Sequence, residues 1–233
     1  MKKILFIVFA ICSLNSFAQF DLGLDVQSRY VWRGVQLGNN SVSLQPFVEF
    51  GKGQFAIGAW GAYSIGGDNS GLQEADLYVS YSPLDFLTIS ITDYFFPADG
   101  TITNNYFEYG NTTGHVFEGM LSFSGVEKFP IGITVATNFA GADKDSNGDQ
   151  SFSTYIEFSY EKTIDAVAIG VFAGGVVGDN GGYYLTNGSG LINLGLSAAK
   201  EIKITELWSL PVDAALIFNP DAESIFITFG FTI

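Results

Sequence analysis

The chain has 233 residues, a net charge of −14, one cysteine, 28 glycines and an aromatic fraction of 15%. This negative charge argues against nucleic acid and anionic lipid as electrostatic partners. A single cysteine excludes an internal disulfide framework. After residue 18 no apolar run reaches the roughly 20 residues that a membrane-spanning helix needs.

The N-terminus predicts a cleaved secretory signal peptide over residues 1–18, followed by one barrel domain over 19–233. A pair of lysines precedes an apolar stretch, and residues 16–18 (Ser-Phe-Ala) form a small-x-small cleavage site. The apolar stretch is too short for a membrane helix. We expect Cys12 to leave with the signal peptide, so that the mature chain has no thiol.

Residues 20–36 alternate between an apolar set and a polar set. A strand sends successive side chains to opposite faces, so one face is apolar and the other polar. The apolar set has Phe20 at one end and Tyr30 with Trp32 at the other. Aromatic rings collect at membrane–water boundaries, so this stretch predicts one lipid-facing strand.

The same alternation recurs to the end of the chain. The predicted strands are 20–36, 42–51, 54–65, 73–82, 86–96, 115–125, 130–140, 151–161, 166–177, 190–200, 207–219 and 224–233. Short connections alternate with longer ones that are rich in Gly, Asn and Asp. A soluble β-sandwich also uses alternating strands, but it explains neither the aromatic ends nor the one-sided loop lengths.

The fold class that follows is all-β: a membrane-spanning, antiparallel, up-and-down β-barrel of about 12 strands with both termini periplasmic. We expect it in the outer membrane of a double-membraned bacterium. The expected partners are outer-membrane lipid, small solutes or ions, and the barrel-insertion machinery, which would read the final strand ending in Phe229, Phe231 and Ile233. No nucleic acid is expected, and the sequence sets no oligomeric state.

Residues 28–36, SRYVWRGVQ, and the Gln45-Pro46 pair in the next predicted strand resemble the TorF-like porin family, of the Gcw_chp type. That family opens on a strand with an Arg-Gly pair after aromatic residues. The resemblance is clearest over residues 20–63. It implies an outer-membrane barrel and, as its function, a porin.

The polar faces of the predicted strands place nine acids and two arginines in the lumen. These residues are Asp21, Asp25, Arg29, Arg33, Glu49, Glu74, Asp76, Glu118, Glu157, Glu161 and Asp213. An acidic lining attracts cations, so we predict a passive channel for small solutes with a cation-tolerant lumen. The alternative is a non-conducting barrel that serves as a surface or scaffold protein, or binds through its loops.

Arg29 and Arg33 are the only arginines. A hairpin that closes at residues 38–40 would place Arg29 opposite Glu49 and Arg33 opposite Gln45. The pairs would form either a constriction that sorts solutes or a structural bridge inside the barrel, since a charge in a narrow lumen needs a partner.

The loop after the seventh predicted strand resembles the first half of a calcium-binding loop. Its oxygen ligands would be Asp143, Asp145, Asn147 and Asp149, with a glycine at the sixth position. Position 12 is Thr154, so the bidentate glutamate is missing. The alternatives are a weak Ca²⁺ site that rigidifies the loop and a solvated turn. No other cofactor is expected.

Catalytic motifs are not evident. His115 is the only histidine, and no serine stands near it in its strand. We therefore expect no enzyme. The loops 97–114 and 178–189 carry tyrosines that could pack in the lumen, on a partner or on the membrane surface.

Overall fold

The computed structural model describes residues 19–38, 40–66, 73–97, 105–110 and 113–233. The predicted signal peptide, Cys12 and part of the predicted 97–114 loop lie outside these residues. The described residues contain no helix that is long and apolar enough to cross a membrane.

Twelve antiparallel strands close into one barrel, in which residues 19–27 pair with both residues 43–51 and the final strand of the chain. The predicted all-β, 12-stranded antiparallel barrel is confirmed. The wall strands are β1 (Gln19–Gln27), β4 (Val42–Lys52), β5 (Phe55–Ile65), β6 (Gln73–Leu84), β7 (Leu87–Phe95), β8 (His115–Phe123), β9 (Gly132–Gly141), β10 (Thr154–Ile164), β11 (Val167–Asp179), β12 (Gly188–Lys203), β13 (Ser209–Asn219) and β14 (Ser224–Thr232).

The wall is apolar outside and polar inside, the reverse of a water-soluble domain. Phe20 and Leu22 are 66% and 69% exposed on the outer face of β1, as the alternation predicts. Ser43 and Glu118, in contrast, project inward and are buried. Large apolar side chains are exposed on the outer face of every wall strand, which is typical of a lipid-facing surface.

The connections differ in length between the two ends of the barrel. Two-residue turns join β4 to β5, β6 to β7 and β10 to β11, whereas twelve residues (142–153) join β9 to β10. The Asp165–Ala166 turn has positive φ at both positions, which suits the twist of a tight hairpin. We name the two ends the turn side and the loop side; Gln19 and Ile233 lie toward the turn side.

The prediction of one strand over 20–36 is wrong in its second half. β1 leaves the wall at Gln27, and β2 (Tyr30–Trp32) and β3 (Val35–Leu37) form a separate hairpin inside the barrel. Residues 30–37 are named the plug hairpin. Its turn is formed by Arg33 and Gly34, whose φ angles of 48° and 79° are incompatible with a continuous strand. The alternation continues through the break because both segments need an apolar face. That of β1 faces lipid outside the barrel, and that of the plug hairpin packs on aromatic residues inside it.

Candidate functional site: the plugged lumen

Arg33 connects the tip of the plug hairpin to the barrel wall. Its guanidinium meets the Glu118 carboxylate of β8 through two contacts, Nη1 to Oε2 at 2.5 Å and Nη2 to Oε1 at 3.0 Å. Tyr94 of β7 donates a third hydrogen bond to Glu118 Oε1 at 3.0 Å. Glu118 is 1% exposed. A two-point arginine–carboxylate contact fixes geometry as well as charge, so the hairpin has one defined position.

Aromatic rings surround the same guanidinium. Its carbon lies 4.5 Å from the centre of the Trp32 ring and 4.7 Å from that of Tyr155. Nη1 also donates to the Tyr184 hydroxyl at 2.6 Å, and the Tyr184 ring stacks on Trp32 at 5.4 Å. Cation–π contacts strengthen when water is excluded. The predicted lipid-facing role of Trp32 is therefore wrong, because it packs inside the lumen.

The turn of the plug hairpin fits against the opposite wall. The Gly34 Cα faces the backbone of β12, and a Cβ there would lie 1.8 Å from the Ile192 carbonyl oxygen. Asn219 of β13 donates from Nδ2 to the Gly34 carbonyl at 3.0 Å. Only glycine allows so close an approach with positive φ. The hairpin thus spans the interior, from β8 on one side to β12 and β13 on the other.

The plug hairpin supplies part of the only large buried apolar cluster that the described residues form. Val35 of the hairpin is one of its buried members, and Trp32 and Leu37 pack against it. The buried members of the cluster are Val35, Ala136, Tyr155, Val176, Tyr184 and Ile192. The hydrophobic core of this barrel therefore lies in its loop-side half and is built around the plug.

A second segment, residues 180–187, holds Tyr184 against Arg33. Asp179, at the end of β11, accepts hydrogen bonds from the backbone amides of Tyr184 and Thr186, each at 3.1 Å, and from the Thr186 hydroxyl at 2.7 Å. Sequence reasoning missed Asp179. The available signal was a strand-ending aspartate before Asn-Gly-Gly, a pattern typical of a side chain that organises a turn.

The predicted acids all lie on inward-facing strand positions, but in two environments. Glu74, Asp76 and Glu118 are buried in the loop-side half, and Glu74 Oε2 and Asp76 Oδ1 make no hydrogen bond with another described residue. The other strand acids are more exposed and have neutral partners: Tyr78 for Glu49, Asn193 and Tyr155 for Glu157, Gln27 for Asp213, and Thr232 for Asp25. Asp21 and Glu161 are exposed near the turn-side opening. That these acids line a conducting channel stays a prediction.

Both predicted arginine pairs are wrong. Glu49 lies opposite Asp21 in the wall. Arg29, which directly precedes the plug hairpin, instead donates to Gln36 of the hairpin at 3.3 Å. Gln45 lies opposite Asp25, far from Arg33 in register. The reason is that β4 pairs with residues 19–27, so residues 28–36 never enter the sheet.

Cavities open at the turn side. One of about 520 Å³ is lined by inward residues that include Thr163, Ala199, Asp213 and Thr232. Another of about 380 Å³ lies beside Glu161. The described interior is therefore open toward the turn side and filled toward the loop side.

The four predicted calcium ligands are not brought together. Asp145 is half-buried, and its Oδ1 accepts the amides of Asn147 at 2.8 Å and Asp149 at 3.0 Å. The amides of Asp149 and Asn147 lower the pKa of Asp145. Asp143 points into the protein, where burial raises its pKa. No three His, Cys, Asp or Glu side chains of the described ranges cluster as a metal would require; weak Ca²⁺ binding by this loop stays a prediction.

His115 holds residues 105–110 on the outer rim. Its Nδ1 lies 2.7 Å from Asp93 and its Nε2 lies 2.7 Å from the Tyr106 carbonyl, while Tyr109 stacks on the ring at 4.4 Å. Both ring nitrogens are thus engaged in structural contacts. The expectation that the protein is not an enzyme stays a prediction.

Comparison with known proteins gives a family and a distant structural likeness. A family model described as "Bacterial protein of unknown function (Gcw_chp)" matches residues 14–204. The chain belongs to the Gcw_chp family. This confirms the family part of the sequence resemblance, whereas the TorF-like porin assignment stays a prediction.

Among solved structures, this Gcw_chp protein is similar to Wzi, an outer membrane protein involved in group 1 capsule assembly in Escherichia coli and a carbohydrate-binding β-barrel. The TM-score is 0.37 at 10% identity, and the match covers 93% of this chain and 56% of Wzi. No curated protein sequence matches the chain.

Proposed function

We propose that the protein is an outer-membrane β-barrel that does not conduct at rest, because its own plug hairpin closes the loop-side half of the lumen, and that it acts through its loops as a surface-binding protein. The observation that carries this proposal is the Arg33–Glu118 contact, which joins the hairpin tip to the wall. The exposed apolar outer face supports placement in a membrane.

The plug is expected to stay in place at equilibrium. Opening would separate Arg33 from Glu118 and from its two cation–π partners, and would expose the apolar cluster to which the hairpin contributes. Thermal opening should therefore be rare. A plug of this kind accounts for an interior that is polar yet closed.

The loop side also carries features of a binding surface. Phe107 is 82% exposed and Leu185 is 76% exposed, and both lie in connections on the loop side. Leu185 has a φ of 61°, a backbone conformation that a branched side chain rarely adopts. Large exposed apolar side chains outside the lipid-facing wall are typical of interaction sites. Binding through the loops is therefore favoured over a purely structural role.

A second candidate is a gated, cation-tolerant channel. The observation in its favour is the turn-side cavity of about 520 Å³, whose lining includes Asp213. Conduction would require the plug hairpin to leave the lumen. Small cations or neutral solutes would then pass along an acidic wall.

The test is the current through planar bilayers that contain the purified mature protein. We expect no conductance steps from the wild type. Arg33→Glu places two like charges at the plug contact and should give discrete steps. Arg29→Glu makes the same charge change at an arginine that forms no ion pair among the described residues and donates to the neutral Gln36, so it should stay silent. A heat-modifiable gel shift verifies folding of each variant, and frequent cation-favouring steps from the wild type would replace this proposal with the passive channel.

A further inference from the structure

Two buried carboxylates meet beneath the loop side, between residues 142–153 and 180–187. Asp143 and Asp179 are both fully buried, and so is Ser153 between them. The Ser153 hydroxyl oxygen lies 2.9 Å from Asp143 Oδ1 and 3.1 Å from Asp179 Oδ1. One small side chain thus bridges two acids that come from different segments of the chain.

The bridge leaves one contact without a hydrogen atom. A serine hydroxyl carries a single hydrogen, so it can donate to only one of the two carboxylates. In the part of the chain that the structure describes, neither acid forms an ion pair with Lys, Arg or His. Ionised carboxylates are costly to bury without a positive partner. Asp179 accepts the amides of Tyr184 and Thr186, and Asp143 accepts the amide of Ser153, but these donors carry no formal charge. A cation beside the two acids would therefore lower the cost of burying them.

Asn138 provides a second observation at the same place. It is fully buried, and its carboxamide lies close enough to Asp143 to lower the pKa of that carboxyl. Neither Oδ1 nor Nδ2 has a partner at full hydrogen-bond geometry among the described residues. The Ser151 hydroxyl nearby is also buried without a partner in the described ranges. A buried amide is rarely left unpaired in a folded protein. With its oxygen turned toward Asp143, this amide would supply a neutral oxygen ligand beside the two carboxylates.

We propose that Asp143, Asp179 and Asn138 bind a hard divalent cation, for which Ca²⁺ is the best match. The donors are carboxylate, amide and hydroxyl oxygens, with no nitrogen or sulfur ligand, and Ca²⁺ prefers such sets. This site shares only Asp143 with the calcium loop that the sequence suggests. Its other ligands come from β9 and β11, so bound Ca²⁺ would join the 142–153 and 180–187 segments.

The first experiment titrates the full-length protein, purified in detergent and stripped with EDTA, with Tb³⁺ under tyrosine excitation. We expect saturable luminescence that Ca²⁺ displaces. The unfolding temperature should rise by about 5 °C at a hundredfold excess of Ca²⁺ over its dissociation constant. Both responses should persist in the variant Asp145→Asn/Asp149→Asn, which changes only the turn over residues 145–149.

Two variants locate the site. Asp179→Asn should abolish both responses. Because Asp179 also holds residues 180–187 in place, a second variant that leaves this contact intact is needed. Asn138→Leu removes the amide oxygen while leaving both carboxylates and should weaken Tb³⁺ binding at least tenfold. A wild type that binds no Tb³⁺ and unfolds at the same temperature with Ca²⁺ or EDTA overturns the proposal. So does a response that is lost in the turn variant and retained in Asn138→Leu.

Discussion

The two halves of the barrel interior are enclosed by the same twelve strands but differ in content. In the loop-side half the plug hairpin and residues 180–187 enter the lumen and bury Glu118. In the turn-side half no described segment enters, and Asp213 borders a cavity of about 520 Å³. The wall alone therefore does not fill a barrel of this size. The loop-side half is closed by the plug hairpin and residues 180–187, which are not part of the wall. Displacing them should leave the loop-side half as open as the turn-side half.

The largest effect is expected from Gly34→Ala, because the new Cβ would lie 1.8 Å from the Ile192 carbonyl oxygen. The plug turn would have to leave its position, with a loss of more than about 4 kcal/mol of unfolding free energy. Gly53→Ala is the matched control on the turn side: Gly53 also has positive φ but has open space around its Cα. It should cost about 1 kcal/mol. Urea unfolding in micelles compares the two, and equal losses would contradict the close fit.

Glu118→Gln should cost roughly 3–5 kcal/mol, since it leaves the Arg33 guanidinium buried without a counter-charge. Glu49→Gln makes the same change in the turn-side half, where the carboxylate accepts only from Tyr78 among the described residues. A glutamine can still accept that hydrogen bond, so a loss below about 1 kcal/mol is expected. Urea unfolding again gives both values. A Glu118→Gln loss as small as that of Glu49→Gln would show that the ion pair does not hold the plug.

Tyr184→Phe should cost about 1 kcal/mol, because it removes the hydroxyl that Arg33 contacts at 2.6 Å and keeps the stacking on Trp32. Tyr183→Phe is the adjacent control. The Tyr183 hydroxyl is buried and has no hydrogen-bond partner in the described part of the chain, so its removal should be neutral or slightly stabilising. Thermal unfolding of the two variants measures the difference. The reverse order would show that the hydroxyl contact with Arg33 contributes nothing.

The wall could be predicted from the sequence because the polarity of each wall residue depends only on whether its side chain faces lipid or the lumen. Lipid selects apolar side chains at every second position, as at Phe229 and Leu216. This local rule gives the number of strands and shows which side chains of each strand point toward lipid. The plug could not be predicted in this way. Tyr30 and Trp32 continue the period of β1, and periodicity does not distinguish a lipid surface from an aromatic interior. Only the Arg33-Gly34 pair marks the break, since glycine within a strand pattern often signals a turn or a close backbone approach.

The sequence indicated that Glu118 and Arg33 lie in the lumen but not that they contact each other. Glu118 and Arg33 were both expected in the lumen, because each sits on a polar position of an alternating stretch. Their contact depends on where residues 28–38 leave the wall, which is decided by the pairing of β4 with residues 19–27. Such long-range register is not encoded in local alternation. The role of Asp179 was missed for the same reason, since its partners Ser153 and Tyr184 are set by the packing of two loops.

The smallest effect on stability is expected from Asp213→Asn in the turn-side half. The side chain would keep an acceptor for Gln27 Nε2, which donates to Asp213 Oδ1 at 3.0 Å, so the unfolding free energy should change by less than about 0.5 kcal/mol. Its effect should instead appear in conduction once the plug is displaced. In an Arg33→Glu background, loss of this charge should move the reversal potential in a salt gradient toward zero, because an acidic lining favours cations. Asp221→Asn, on the loop-side turn between β13 and β14, is the control and should leave the potential unchanged. Equal shifts from both variants would mean that overall charge, and not the turn-side lining, sets the selectivity of the opened barrel.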